Sequence, residues 1–174
     1  SISSKRSPFH KRTGAVVHGG LSDMDNSMRL EFSALAENEA FARAAAAAFI
    51  MPLDPTVEEL TEVKTAVSEA VSNCVIHGYK DPEDGDRPGD NRVIMECTSY
   101  SSGKVVILIE DHGAGIEDVD MAMQPLFTTG SAEERSGMGF TVMESFMDKL
   151  RVKSEKGKGT TVIMTKYLDI VSGI

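Results

Sequence analysis

Between residues 56 and 78 the apolar positions Leu60, Val63, Val67, Ala70, Val71 and Cys74 recur every three or four residues, which predicts a helix with one face turned to a core. Its start is written in Asp54-Pro55-Thr56: proline suits a first turn, and Thr56 with Glu59 can form a capping box. Gly78 supplies the stop. Glu69, Asn73 and His77 form a separate polar stripe at four-residue intervals, expected opposite the apolar one, with water or a ligand over it. An earlier helix is predicted over residues 38–49 by the alanine run 44–48. There Phe41, Ala45, Ala48 and Phe49 fall near one stripe, Glu39 and Arg43 are spaced for an i,i+4 ion pair on another face, and Pro52 ends the element. Ahead of it, residues 29–33 alternate Leu30 and Phe32 with polar neighbours, as in a short strand with one buried face.

Further on the period changes from helical to extended. Residues 92–99 and 104–110 are rich in β-formers and are joined by Tyr100-Ser101-Ser102-Gly103, which predicts an antiparallel hairpin; 150–154 and 160–166 with a tight turn at 155–159 predict another. Residues 80–91 read as a surface loop. Residues 113–132 have no clear period, and so long an irregular connection in a compact domain suggests a lid. A helix follows, with Phe140, Val142, Met143, Phe146, Met147 and Leu150 supplying its apolar faces. A strand, two helices, a hairpin, a lid, a helix and a last hairpin fit an α/β two-layer sandwich, a mixed β-sheet covered on one face by helices.

Two stretches carry candidate chemistry. The apolar run 105–109 ends abruptly in Glu110-Asp111-His112-Gly113-Ala114-Gly115, as expected of a buried strand opening into a ligand-facing turn. Asp111 would be a fixed acceptor at the strand's end, and glycines let a ligand lie close to the main chain. In Arg135-Ser136-Gly137-Met138-Gly139-Phe140 a glycine-rich loop precedes a helix, so unpaired N–H groups, the positive end of the helix dipole and the Arg135 charge suit phosphate.

Charge and composition narrow the classes. The formal net charge over 174 residues is −9, which argues against broad contact with nucleic-acid phosphates. A nucleotide can still bind where a metal ion and a few local cations offset its charge. No apolar run approaches the ~20 residues of a membrane-spanning helix. Cys74 and Cys97 give neither a disulfide framework nor a zinc site, so a reducing cytoplasm is the expected setting. Residues 1–27 are basic and Ser/Gly-rich without an apolar signal region, and read as a disordered leader or an appended tail before a single domain, 28–174.

Glu69 with Asn73 four residues on, Asp111 with Gly113 and Gly115, and Gly137-x-Gly139 before a helix together resemble the Bergerat or GHKL ATP-binding family, shared by type II topoisomerase ATPase domains and histidine kinases. Longer stretches narrow the match: residues 30–34, Asn38-Glu39 with Phe41-Ala42-Arg43, Glu69-Ala70-Val71 through Ile76-His77-Gly78-Tyr79, Pro125-Leu126-Phe127-Thr128-Thr129, and 135–140. They are similar to the anti-sigma F factors of sporulating bacteria, over essentially residues 28–168. Departures are His112, where the family pattern is acidic, and the long 81–91 loop.

The resemblance implies a homodimeric ATP-dependent serine protein kinase that sequesters a sporulation sigma factor and phosphorylates its anti-anti-sigma antagonist. Cofactors would be ATP and Mg2+. Glu69 is then the candidate catalytic base and Asn73 the metal ligand. Asp111 would accept the adenine amino group, with Gly113 in the same ATP-binding turn and Gly115 leaving room for the ring, and Thr160 or Thr161 would help through water. Arg135, Ser136, Gly137, Met138, Gly139 and Phe140 would cradle phosphate, while Thr128 and Thr129 are candidates to cap the γ-phosphate or hinge the lid. Glu39 and Arg43 would grip both protein partners. Two alternatives remain at this point: an ATP-holding partner-switch module without kinase turnover, and a histidine-kinase catalytic-domain fragment, against which the earlier His10 and His18 sit in the polar leader.

Overall fold

The computed structural model describes residues 24–79, 91–124 and 138–170. Its strands are β1 (Met24–Ser33), β2 (Arg92–Tyr100), β3 (Lys104–Asp111), β4 (Lys149–Glu155) and β5 (Gly159–Tyr167); its helices are α1 (Asn38–Ile50), α2 (Val57–Asn73), α3 (Val119–Met123) and α4 (Gly139–Phe146). The strand order is β1-β2-β3-β5-β4. The two-layer sandwich is as expected, but each of the four pairings is antiparallel rather than mixed. Both predicted hairpins form, and α1 and α2 together lie between β1 and β2, so the chain re-enters the sheet running opposite to β1.

Strict alternation along β3 buries Val105, Ile107, Ile109 and Asp111 on one face. Val93, Met95 and Cys97 of β2 and Val162 and Met164 of β5 stand beside them, under Val63, Val67, Ala70 and Val71 of α2 and Phe140 and Met143 of α4. Cys97 is sealed there, and burial pushes its thiol up to about 12. The capping box of α2 is made: Glu59 N–H donates to Thr56 Oγ1 at 3.1 Å, and Thr56 N–H to Glu59 Oε2 at 2.8 Å. Glu59 Oε1 also accepts Asp169 N–H at 2.8 Å, tying the chain after β5 to the start of α2.

Several local expectations change. α1 buries Ala42, Ala46 and Ile50, while Phe41 is 51% exposed and Ala48 is exposed. The alanines let α1 lie close on α2, and Phe41 instead meets the edge of Phe32, centroids 6.1 Å apart. β1 begins at Met24, four residues ahead of the boundary expected at Met28. Within 113–132 the short α3 forms, capped by Asp118, whose Oδ1 accepts Met121 N–H at 3.0 Å. α4 ends at Phe146, so Met147 is a buried residue just past it and Leu150 belongs to β4. Most of the 80–91 loop lies outside the described residues, as do Thr128, Thr129, Arg135, Ser136 and Gly137.

Candidate functional site

The last turn of α2 departs from α-helical winding: Cys74–Gly78 is a π-helical turn, closed by Tyr79 N–H on Cys74 O. It brings Asn73, Cys74, His77 and Gly78 to one side of a cavity of about 350 Å³. Asp111, Gly115 and Thr160 also line it, and Ala70, Ala114, Ile116, Ala122, Phe140 and Val162 supply apolar walls. A flat apolar ligand carrying a few polar edges suits such a lining.

Asp111 is buried at the end of β3, and its Oδ1 accepts Gly113 N–H at 2.9 Å. Burial pushes its carboxyl up from the usual range, while the Gly113 amide, the Cys74 thiol and the Thr160 amide each favour the charged form. The Cys74 thiol is itself held well above its ordinary value by burial and by the adjacent Asp111 charge. It therefore acts as a donor to Asp111 rather than as a nucleophile.

The turn after Asp111 is packed backbone on backbone. A Cβ on Gly113 would lie 1.9 Å from Gly78 O, the carbonyl that also accepts Ala114 N–H at 2.7 Å. Gly115 has φ +71°, and a Cβ there would meet Glu155 O at 2.1 Å. Gly113 thereby admits the end of α2 and Gly115 the end of β4, and Gly115, expected to leave room for a ring, also lines the cavity. Tyr79 locks the same junction, its hydroxyl donating to Arg92 O at 2.7 Å and accepting His112 N–H at 2.8 Å.

Thr160 and Thr161 part company because side chains alternate along β5. Thr160 lines the cavity. Thr161 faces away, donating to Glu110 Oε2 at 3.3 Å, and is not brought to the site. Glu110 also meets His112 Nε2 at 3.1 Å, so the non-acidic residue at 112 pairs outside the cavity.

The polar stripe of α2 does not stand opposite the core in open water. A Cβ on Gly139 would lie 3.1 Å from Asn73 Oδ1 and 3.3 Å from Glu69 Oε2, so α4 begins directly over both side chains. Burial raises the Glu69 carboxyl above its ordinary value, and the charge of Glu39 adds to the shift. Met138 precedes α4 with no side-chain cap among the described residues, and Phe140 in the first turn of α4 lines the cavity. Arg43 lies elsewhere, in a polar groove between α1 and α2 lined by Glu39, Thr61, Lys64, Thr65 and Ser68. It donates to Glu39 Oε1 at 3.2 Å and to Ser68 Oγ at 3.1 Å.

Cys74, Gly78, Tyr79 and Ser154 were not foreseen as site residues. The first three sit inside the 69–79 stretch, where their proximity to Asn73 was the available signal. Ser154 announces itself only through strand register, opposite Thr160.

Residues 32–166 match the family model of the histidine kinase-like ATPase domain. A protein named anti-sigma F factor from Clostridium kluyveri is 52% identical over 148 residues, covering 85% of this chain and 99% of that protein. One of the same name from Clostridium botulinum (strain Eklund 17B) is 55% identical with the same coverage. In fold the chain is similar to a crystal structure of the RsbU and RsbW domains of a Mycobacterium tuberculosis protein, TM-score 0.59 at 17% identity, covering 82% of this chain and 32% of that one. No helix among the described residues is long and apolar enough to cross a membrane. With the family model spanning most of the chain and relatives above half identity over nearly their whole length, this protein belongs to the anti-sigma F factor family of histidine kinase-like ATPase domains.

Proposed function

We propose that this protein binds ATP in the cavity between α2, β3 and α4, transfers its γ-phosphoryl group to a serine of an anti-anti-sigma protein, and holds a sporulation sigma factor inactive until that antagonist displaces it. The observation that carries this reading is convergence: Asp111, Thr160, Asn73 and Phe140 line one cavity, and the start of α4 at Gly139 lies against Asn73 and Glu69. Asp111 accepts the adenine amino group, with Thr160 beside it. The first turn of α4 holds phosphate oxygens together with Arg135, Ser136 and Gly137.

The serine Oγ attacks the γ-phosphorus, the bond to the β–γ bridging oxygen breaks, and ADP leaves. Glu69 takes the serine proton, a task helped by a carboxyl held above its usual range. Asn73 Oδ1, set against the start of α4, would hold Mg2+, which needs few protein ligands when phosphates complete its shell. Bound there, the ion neutralises phosphate charge. Arg43 and Glu39 on α1 meet both protein partners, the guanidinium offering a bidentate fork.

The proposed protein acts in the cytoplasm as a homodimer. Support for self-association comes from the sheet face away from the helices, where Val106, Leu108 and Ile163 are only half-buried and no described residue forms a layer over them. Incubation with γ-labelled ATP, Mg2+ and an anti-anti-sigma protein tests the reading: label on the partner's serine is expected. Label on this chain's own histidine, or none, overturns it.

A further inference from the structure

Asp111 on β3, Thr160 on β5 and Ser154 on β4 stand opposite one another in register, in one row across the helix-facing side of the sheet. Asp111 and Thr160 line the cavity, and Ser154 pairs with Thr160 from the neighbouring strand without lining it. The Ser154 hydroxyl has three neighbours: Ile116 N–H at 2.7 Å, Gly159 O at 3.0 Å and Thr160 Oγ1 at 2.8 Å. An amide N–H can only donate and a carbonyl can only accept, whereas a hydroxyl does either. Only one arrangement therefore satisfies all three. Ser154 gives its proton to Gly159 O and accepts from both Ile116 and Thr160.

That arrangement commits the Thr160 proton to Ser154 and leaves lone pairs alone facing the cavity. Asp111 beside it is likewise an acceptor. We propose that Ser154 is a positioning residue for base selection: by fixing the Thr160 hydroxyl as an acceptor, it makes this end of the cavity take an exocyclic amino group and refuse a carbonyl. The inference rests on the reading of the cavity as a purine nucleotide site. It concerns which way a proton points, which that reading leaves open.

Removing the Ser154 hydroxyl frees Thr160 to rotate and donate, so a carbonyl at the purine 6-position loses part of its penalty. Dissociation constants for ATP and inosine triphosphate are measured on the full chain for wild type, Ser154→Ala and Ser154→Thr. In Ser154→Ala the preference for ATP over inosine triphosphate narrows by roughly fivefold, the scale of one hydrogen bond turned from unmade to made. Ser154→Thr keeps the hydroxyl and keeps the wild-type ratio. A purely structural serine would weaken both nucleotides alike, and an unchanged ratio in Ser154→Ala overturns the proposal. So does a ratio in Ser154→Thr that matches alanine. Failure of wild type to bind ATP would instead remove the nucleotide reading, and this inference with it.

Discussion

Replacing Gly113 by alanine adds one methyl group where the end of α2 crosses the turn after β3. The new Cβ would sit 1.9 Å from Gly78 O and 2.3 Å from Gly78 C, far inside the 3.4 Å at which ordinary contact begins. Both neighbours are backbone, so no side chain can swing aside. The segments must separate, and the first casualty is the Ala114 N–H to Gly78 O bond of 2.7 Å. Overpacking of this kind costs about 1–3 kcal/mol and a lost buried hydrogen bond about 1 more, giving roughly 2–4 kcal/mol in total. Out of a usual stability of ~5–15 kcal/mol the variant stays folded, with Tm lowered by roughly 5–15 °C for a chain of this size. Because Asp111 Oδ1 is held by the Gly113 amide, ATP affinity falls with it, by roughly tenfold or more. Differential scanning calorimetry with and without ATP measures both effects. Gly157→Ala is the control: its φ is +79° but nothing lies within 4 Å, so only about 1 kcal/mol of backbone strain is expected and no change in ATP affinity. Gly113→Ala melting within a degree or so of wild type, on the scale of a surface change, would refute the close-packing argument.

Glu69→Gln keeps the ATP dissociation constant within about threefold but slows phosphoryl transfer by ~10²–10⁴, the usual span for a lost general base; equal turnover in a partner-phosphorylation assay would remove Glu69 from that role. Since the Glu39 charge raises the Glu69 carboxyl, Glu39→Gln lowers it, and the acid limb of the kcat–pH profile moves to lower pH. An unmoved limb would separate the two residues. Arg43→Glu abolishes capture of both the sigma factor and the antagonist in pull-downs while ATP binding persists; retained capture would leave Arg43 only its contacts with Glu39 and Ser68.

The elements most legible in the sequence were those whose signals are local. The start of α2 is written in Thr56 and Glu59, and the turn between β2 and β3 in Gly103, which takes φ +91° and donates its amide to Tyr100 O. The buried face of α1 was not legible, because alanines at 42, 44, 45, 46, 47 and 48 mark no face by themselves. Phe41 misled for a tertiary reason: its ring meets the edge of Phe32 on β1 and stays half exposed. Asp111 and Asn73 were recognised as individual residues, but their meeting across one cavity depends on α2, β3 and α4 converging. Thr160 could not be told from Thr161 until the register of β5 against β3 decided which of them faces inward. The polar stripe of α2 carries no mark of what covers it, and the covering element, α4, begins 66 residues after Asn73.

The Glu59 carboxylate is a joint between the beginning of one helix and the far end of the chain, since one oxygen serves Thr56 and the other Asp169. Cutting the polypeptide back to Leu168 would strand that second oxygen in a largely enclosed spot, loosening the foot of the helix that carries Glu69 and Asn73 at its other end. Tags, fluorophores or fused domains are therefore best joined beyond residue 170, where they leave the joint closed.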